Sequence, residues 1–463
     1  MSGEEALAGI RSEIRRLTEE ILRLMAERVK LSREVGRIKV AEGLPVEDTY
    51  VEKGLRSIVK EKSVKLGIDP SLGLRLLNLL ITESVGVQRS VTQRSAVTPA
   101  TMFQRAKQME EAGSEVIHLE AGEPDFPPSG PVLDAVKEAI DSGRTGYTDP
   151  VGIEPLRESV AEHLNKKFHT DLTKEQVLIT HGARFALHLA VATTLKPGGE
   201  ALIFEPAYPA YRQSVELFEG RPVAIQTRLE EEWTPDIGEV EDLFDEPPDM
   251  IILNYPANPT GKVLNDEIFK GLVDFAVERG VTVLSDEVYM DYAYKPCRSI
   301  LEYPDCRSIF ASSFSKSYSM TGFRIGYAVA SKKDIERMAR FEGLALTCMP
   351  EFIQRAAIKA FECEENLKQN TERIRKRAEY TAGLLDGLPV TYCKPDGGFY
   401  IFPRVDLPGF DGESYALNLL EKHHVSVTPG SVFGDYRDHL RISLCQPEER
   451  LAEAVRRMKE ALE

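Results

Sequence analysis

Two groups of residues in this 463-residue sequence stand where ordinary packing does not call for them. Near the N-terminus, Leu7, Ile10, Ile14, Leu17, Ile21, Leu24, Leu31, Val35 and Ile38 recur at three- and four-residue steps and mark one apolar seam on a long helix. The seam position after Leu24 is Arg28, and Lys39, about three turns further on, faces almost the same way. Ser84 and Gln88 continue the apolar face of Leu77 and Ile81 on a later helix. Unpaired cations are costly to bury, so these polar groups point to a small dianion bound among helices. Long side chains snorkelling out of a plain bundle are the simpler alternative. The second group lies downstream. Asp286 follows the apolar run VTVLS, at the carboxyl end of a strand, where α/β sheets place their sites. VLITHGARFALHLA reads as strand, tight turn and helix, and the turn residues Gly182, Ala183 and Arg184 offer backbone amides that can receive a phosphate. Asn258 lies in NPTG after the strand MIILN, a segment that turn chemistry alone could explain. Lys316 sits among serines with Arg324 eight residues on; by itself it reads as a solvated loop residue.

The elements that position these groups divide the chain. Residues 1–90 read as helical throughout: a long first helix ending before Pro45, a second with Glu52, Leu55, Ile58 and Val59, and a third from about Pro70. Residues 91–97 form a polar linker. From Val116 onward, strand-like runs alternate with amphipathic helices, the pattern of an α/β domain spanning residues 98–463. The fold class expected is an all-α N-terminal domain followed by an α/β domain with a mostly parallel central sheet. A large part at about 131–371 and a small α+β part, about 98–130 plus 372–463, make up the latter.

Bulk properties exclude several functions. A net charge of -16 argues against a general nucleic-acid or anionic-membrane surface, although a pocket on an acidic protein can still be basic. No apolar run is long enough to span a bilayer. The N-terminus has no apolar signal core. The six cysteines are scattered without a metal-binding pattern and read as reduced cytoplasmic thiols.

Over nearly all of residues 4–90 the sequence resembles the all-helical (AroQ-type) chorismate mutases, in the order IRSEIRRLTEEILRLMAERVKLSREVGRIK, LPVEDTYVEK and ITESVGVQ. The resemblance implies that Arg28 and Arg11 clamp two carboxylates, Arg11 reaching in from a partner subunit. It also implies that Lys39 and Gln88 bond an ether oxygen, that Glu52 holds a hydroxyl and that Ser84 assists at a carboxylate. The chemistry suits a domain without His or Cys: a pericyclic rearrangement needs a fixed conformer and a donor at the oxygen that gains charge, and no nucleophile. Val51, one residue before Glu52, departs from the family, which usually has arginine there.

From about Thr98 to the C-terminus the chain resembles the class I aminotransferases, most clearly in residues 311–326, ASSFSKSYSMTGFRIG. The resemblance implies pyridoxal 5'-phosphate as cofactor, with Lys316 forming the Schiff base and shuttling the proton. Arg324, Ser313 and Ser315, with the turn at Gly182, Ala183 and Arg184, would hold the phosphate. Asp286 would keep the ring nitrogen protonated, Tyr289 and Asn258 would donate to the ring 3-oxygen, and Tyr208 in EPAYPAY would stack on the ring. Tyr147 would contact the phosphate across a subunit interface, implying a homodimer or higher homo-oligomer. Arg441 in LRISLCQ would fork onto the substrate α-carboxylate, with Asn258 beside it and the backbone of Gly122 in AGEPDF closing on it. Thr101 resembles a threonine near the substrate side chain in aspartate/prephenate aminotransferases.

Together these imply a bifunctional enzyme of aromatic amino-acid synthesis with small-molecule substrates: chorismate, a 2-oxo acid or prephenate, and glutamate or aspartate as donor. The alternatives are an aminotransferase with a non-catalytic helical oligomerisation or regulatory module, an aspartate-type aminotransferase, or another reaction on the same cofactor.

Overall fold

The computed structural model describes residues 3–42, 44, 46–90, 97–244 and 246–463. The chain forms two compact units, residues 1–96 with 197–199 and 219–221, and the remainder. The proposed linker, residues 91–97, lies outside the described residues except for Val97.

The first unit is three helices: α1 (Gly3–Glu42), α2 (Thr49–Lys65) and α3 (Pro70–Ser90). Asp48 caps α2 by accepting from the Val51 amide at 3.1 Å. At 40 residues, α1 runs about 60 Å. Neither α2 nor α3 is long enough to cover it. The seam therefore does not form a core within the chain: Leu7, Ile10, Ile14, Leu17, Ile21, Leu24, Leu31, Val35 and Ile38 are all exposed. The face of α1 that is covered carries Met25, Arg28, Val29, Ser32, Gly36 and Lys39, turned from the seam by roughly a quarter of the helix circumference. It packs along α3, so closely at Gly36 that a Cβ there would lie 2.9 Å from the Gln88 Cα.

The second unit begins with α4 (Pro99–Glu111) and β1 (Ile117–His118), followed by α5 (Gly130–Asp141) and α6 (Glu154–Phe168). Its central sheet holds β2 (Val177–Thr180), β3 (Glu200–Glu205), β4 (Arg221–Gln226), β5 (Met250–Asn254), β6 (Thr282–Asp286), β7 (Ser308–Ser313) and β8 (Gly326–Val329), in the order β2-β8-β7-β6-β5-β3-β4. Strands β3, β5, β6 and β7 run parallel, and β8 is antiparallel to both β7 and β2. These strands are buried on both faces, which is why they read as nearly continuous apolar runs. Helix α7 (Ala183–Thr194) follows β2 directly. A second core gathers around α4, β1 and the C-terminal third. That third carries the short strands β9 (Val390–Thr391), β10 (Tyr400–Ile401), β11 (Arg404–Val405), β12 (Val425–Ser426), β13 (Thr428–Pro429) and β14 (Leu440–Ser443). β1 pairs in parallel with β12, and β14 lies between β10 and β13.

Candidate active sites

In the helical unit, Arg28, Lys39, Ser84 and Gln88 belong to the region where α1 packs along α3. Gln88 is 8% exposed. Its Oε1 and the Arg28 Nε are buried without a hydrogen-bond partner: the Arg28 N–H is a donor that an anionic ligand would satisfy, and the Gln88 oxygen is an acceptor that a ligand hydroxyl would satisfy. Lys39 Nζ donates to the Val46 carbonyl at 2.6 Å. Ser84 Oγ donates to the Leu80 carbonyl one turn back at 2.7 Å, leaving its lone pairs to accept. Glu52 lies half-buried in the first turn of α2, beside an exposed Val51. Arg11 is not brought to this group. It lies on the uncovered half of α1, 17 residues before Arg28, or roughly 25 Å along the axis.

The larger unit gathers the second set at the carboxyl edge of its sheet. Asp286 ends β6 and is 4% exposed. Burial pushes its carboxyl up to about 6, against hydrogen bonds from Tyr211 Oη at 2.7 Å and the Val288 amide at 3.3 Å. Tyr211 was not singled out in the sequence; its only signal is the second tyrosine of YPAY, three residues after Tyr208. Asn254 Nδ2 donates to the Asp286 carbonyl at 2.9 Å and Asn254 Oδ1 accepts from the Asn258 amide at 2.9 Å, fixing the two strand ends together.

Lys316 is carried by a single helical turn, Phe314–Ser317, between β7 and β8. Burial and the nearby cations of Arg441 and Arg324 push its amine down to about 8. Its Nζ donates to the Gly122 carbonyl at 2.5 Å and lies 6.0 Å from the Tyr289 ring centre. Ser317 Oγ donates to Asp291 at 2.6 Å, and Asp291 is also paired with Lys167, so the lysine's turn is held from behind. Arg324 takes a left-handed backbone conformation, φ 54°. Its Nη2 lies 2.9 Å from where a Cβ on Gly182 would be, and a Cβ on Gly326 would lie 2.7 Å from the Ala183 amide nitrogen. The guanidinium and the N-terminus of α7 thus share one small space, a cradle for an anion that a side chain at residue 182 would fill. Ser313 and Ser315 are buried in the connected segment.

At the substrate end, Arg441 is 4% exposed and lies over the Tyr400 ring at 4.3 Å. It donates to Asn258 Oδ1 at 3.1 Å and to the Glu120 carbonyl, while its Nε has no partner. Tyr289 Oη and Tyr400 Oη are 2.9 Å apart. Gly122 admits no side chain, because a Cβ would fall 1.7 Å from Tyr400 Oη. Tyr400, in GGFY, is a second residue that the sequence reading missed. The Tyr208 hydroxyl accepts from Arg184, so the Arg184 side chain lies against the tyrosine. Tyr147 is 90% exposed. The Thr101 hydroxyl is engaged in a reciprocal cap with Thr98 at the start of α4; the sequence comparison had set it beside a substrate side chain.

A primary amine depressed toward neutrality, a buried carboxylate and an anion cradle fit a pyridine aldehyde phosphate: the amine takes the aldehyde, the carboxylate the ring nitrogen, the cradle the phosphate. The larger unit is a fold-type I pyridoxal-phosphate enzyme. Residues 114–458 match the family model for aminotransferase class I and II, and the chain belongs to that family. Residues 10–89 match the model for chorismate mutase type II, so the chain joins a chorismate mutase domain to an aminotransferase domain. The aspartate aminotransferase of Pyrococcus horikoshii is 35% identical over 369 residues, covering 78% of this chain and 93% of that protein. The aromatic-amino-acid aminotransferase 2 of Thermococcus litoralis is 36% identical over 357 residues, covering 75% of this chain and 92% of that protein. The crystal structure of the Thermotoga maritima aspartate aminotransferase superposes with a TM-score of 0.76 at 32% identity, covering 81% of this chain and 99% of that one.

Proposed function

We propose that the helical unit rearranges chorismate to prephenate and that the larger unit transfers an amino group from glutamate or aspartate to prephenate. The observation that carries the aminotransferase roles is the convergence of Lys316, Gly122, Asn258 and Arg441. The Lys316 amine meets the Gly122 carbonyl at 2.5 Å, and Arg441 reaches Asn258 at 3.1 Å. When bound, the cofactor supplies the electron sink and the amino-group carrier. Arg441 and Asn258 grip the substrate α-carboxylate, and Gly122 closes on it. Lys316 Nζ takes the proton from the amino acid Cα and returns one to the 2-oxo acid carbon. An amine pushed down to about 8 is poised for both directions. Asp286 holds a proton on the ring nitrogen, and Tyr211 holds Asp286. Arg324, Ser313, Ser315 and the amides at Gly182 and Ala183 hold the phosphate; Tyr208 covers the ring.

In the helical unit Arg28 pairs with one substrate carboxylate, Lys39 and Gln88 donate to the ether oxygen, and Glu52, whose Oε2 accepts from Arg221 at 2.9 and 2.6 Å, holds the hydroxyl. The unpartnered Arg28 Nε supports the carboxylate contact. Arg11, too distant along α1, serves the site of a second copy, whose α1 would also cover the exposed seam. A homodimer follows, with Tyr147 reaching the partner's phosphate site. Six free cysteines fit a reducing, cytoplasmic setting.

Prephenate as acceptor rests on the fusion, since the first unit's product would be the second unit's substrate. It carries a second carboxylate, and Arg184, exposed beside Tyr208, is a cation available to it. Arylpyruvates are the second reading, favoured by the likeness to the Thermococcus litoralis aromatic-amino-acid enzyme. Comparing kcat/KM for prephenate, phenylpyruvate, 4-hydroxyphenylpyruvate, oxaloacetate and 2-oxoglutarate decides between them. Prephenate well below both arylpyruvates overturns the first reading; use of oxaloacetate and 2-oxoglutarate alone overturns both.

A further inference from the structure

The substrate end of the larger unit contains an ionised cluster to which neither proposed reaction assigns a role. His118, on β1, places both ring nitrogens against carboxylates: Nδ1 is 2.7 Å from Glu120 Oε1 and Nε2 is 3.1 Å from Glu110 Oε1. A neutral imidazole has one N–H and one lone pair, and cannot donate to two acceptors; the imidazolium can. The Glu120 side chain is 1% exposed, and its Oε2 has no hydrogen-bond partner. A carboxylate so enclosed depends on the few donors that reach it, and His118 Nδ1 is the side-chain donor in contact with it.

Glu120 is also the residue whose main-chain carbonyl accepts from Arg441 and, at 3.4 Å, from Thr428 Oγ1. One residue is thus held by its side chain to His118 and by its backbone to Arg441. On its other side His118 binds Glu110 of α4, and its ring lies 5.9 Å from Phe103 of the same helix. We propose that His118 is a positioning residue for the substrate α-carboxylate. As an imidazolium it fixes Glu120, whose carbonyl sets the orientation of Arg441, and it ties α4 to that anchor. The proposal rests on Arg441 being the carboxylate anchor.

The charged groups that face His118 are few. On α4 they are Glu110 and, behind it, Lys107, which donates to Glu110 Oε2 at 2.7 Å. Arg105 of the same helix is paired with Glu421. Glu120 faces it from its own segment, and β12, paired alongside, places the uncharged Ser426 opposite His118 in the register. The hydrogen bond to Glu120 raises the imidazole above its ordinary value; burial opposes this and Glu110 adds to it. A group held protonated in this way keeps its effect below its raised pKa and loses it as pH rises through that value. Carboxylate affinity therefore falls as His118 loses its proton.

The test is calorimetric titration of the cofactor-loaded protein with 3-phenylpropanoate, which has a single carboxylate and no amino group, across the range from about pH 6 to about pH 9. Wild type is expected to weaken roughly tenfold between the two plateaus, the loss of one charge-assisted hydrogen bond. His118→Gln keeps a hydrogen-bonding side chain without the charge; it sits at the weak plateau throughout and shows no inflection. Glu110→Gln removes one of the two carboxylates that raise the imidazole, so the inflection persists at lower pH. Wild-type affinity and inflection in His118→Gln overturn the proposal. If that variant does not fold, an unmoved inflection in Glu110→Gln overturns it instead. Arg441→Ala separates the two claims. If it binds 3-phenylpropanoate as wild type does, the anchor assignment itself is wrong. If it does not, and His118→Gln is unaffected, only the positioning role falls.

Discussion

The Tyr211 hydroxyl donates to Asp286 Oδ2 at 2.7 Å, inside the larger unit's core, where the carboxylate has few other donors. Removing that donor in Tyr211→Phe leaves Asp286 more costly to ionise and raises its pKa further above its present value of about 6. A depressing contact is lost, so the ionised form survives only at higher pH. The acid limb of the kcat/KM profile should move upward, with kcat falling roughly tenfold at neutral pH. Cofactor retention, set by the phosphate cradle, should not change. An unmoved acid limb would show that Tyr211 does not support the carboxylate. Asp286→Ala should be more severe, impairing transamination far more than cofactor retention.

Lys316→Ala should give a folded protein to which borohydride no longer fixes the cofactor, while peptide mapping of reduced wild type should find the label on Lys316. The neutral amine is the nucleophile. With its pKa pushed down to about 8, the rate of covalent cofactor uptake by the apoprotein should rise as pH passes through about 8 and level off above it. A label on another lysine defeats the whole site assignment.

Arg28→Ala should abolish chorismate consumption, and Lys39→Ala should chiefly lower its chemical step, because the cation matters most as the ether bond breaks. Arg11 supplies a sharper test. Chains carrying Arg11→Ala, mixed and refolded with chains carrying Arg28→Ala, should recover part of the mutase activity that each lacks alone, since a mixed pair holds one site with both arginines. Absence of recovery would place Arg11 outside the site. Transamination should survive all three single substitutions, apart from any loss through disrupted pairing.

At Gly36 a side chain would press on the backbone of α3 near Gln88. Gly36→Val should destabilise the helical unit by about 1–3 kcal/mol, as overpacking does. Chorismate turnover and the lower-temperature part of thermal unfolding should both suffer. A full-activity Gly36→Val protein would mean that the close approach of α1 and α3 is not required.

Much of the larger unit was legible because its chemistry sits at strand ends. Asp286 after VTVLS and the turn at Gly182 announce themselves by following buried apolar runs, and the strands lie in the sheet as that pattern demands. Tyr211, Tyr400 and His118 were missed for two reasons. Tyr211 and Tyr400 meet residues distant in sequence, Asp286 and Gly122, and no local spacing encodes such a meeting; His118 meets Glu110 and Glu120 nearby, but a lone histidine beside carboxylates is not distinctive in a sequence. The first helix shows a different limit. Periodicity located the Leu7–Ile38 seam correctly, but period alone cannot say whether the apolar face turns toward the same chain or away from it. Here the buried face is the one bearing Ser32 and Gly36, residues too small or polar to raise an apolar signal. Thr101 forms the reciprocal cap of α4 with Thr98.

Ser313 and Gly326 are paired across β7 and β8. The whole excursion that carries Lys316 and Arg324 therefore leaves the sheet and rejoins it at a single rung. The span between amine and guanidinium is set by loop length together with the tertiary contact of Ser317 with Asp291. Gain or loss of even one residue within 317–323 would dislocate one anchor relative to the other. Any attempt to graft this chemistry onto another scaffold must transplant the rung together with its loop.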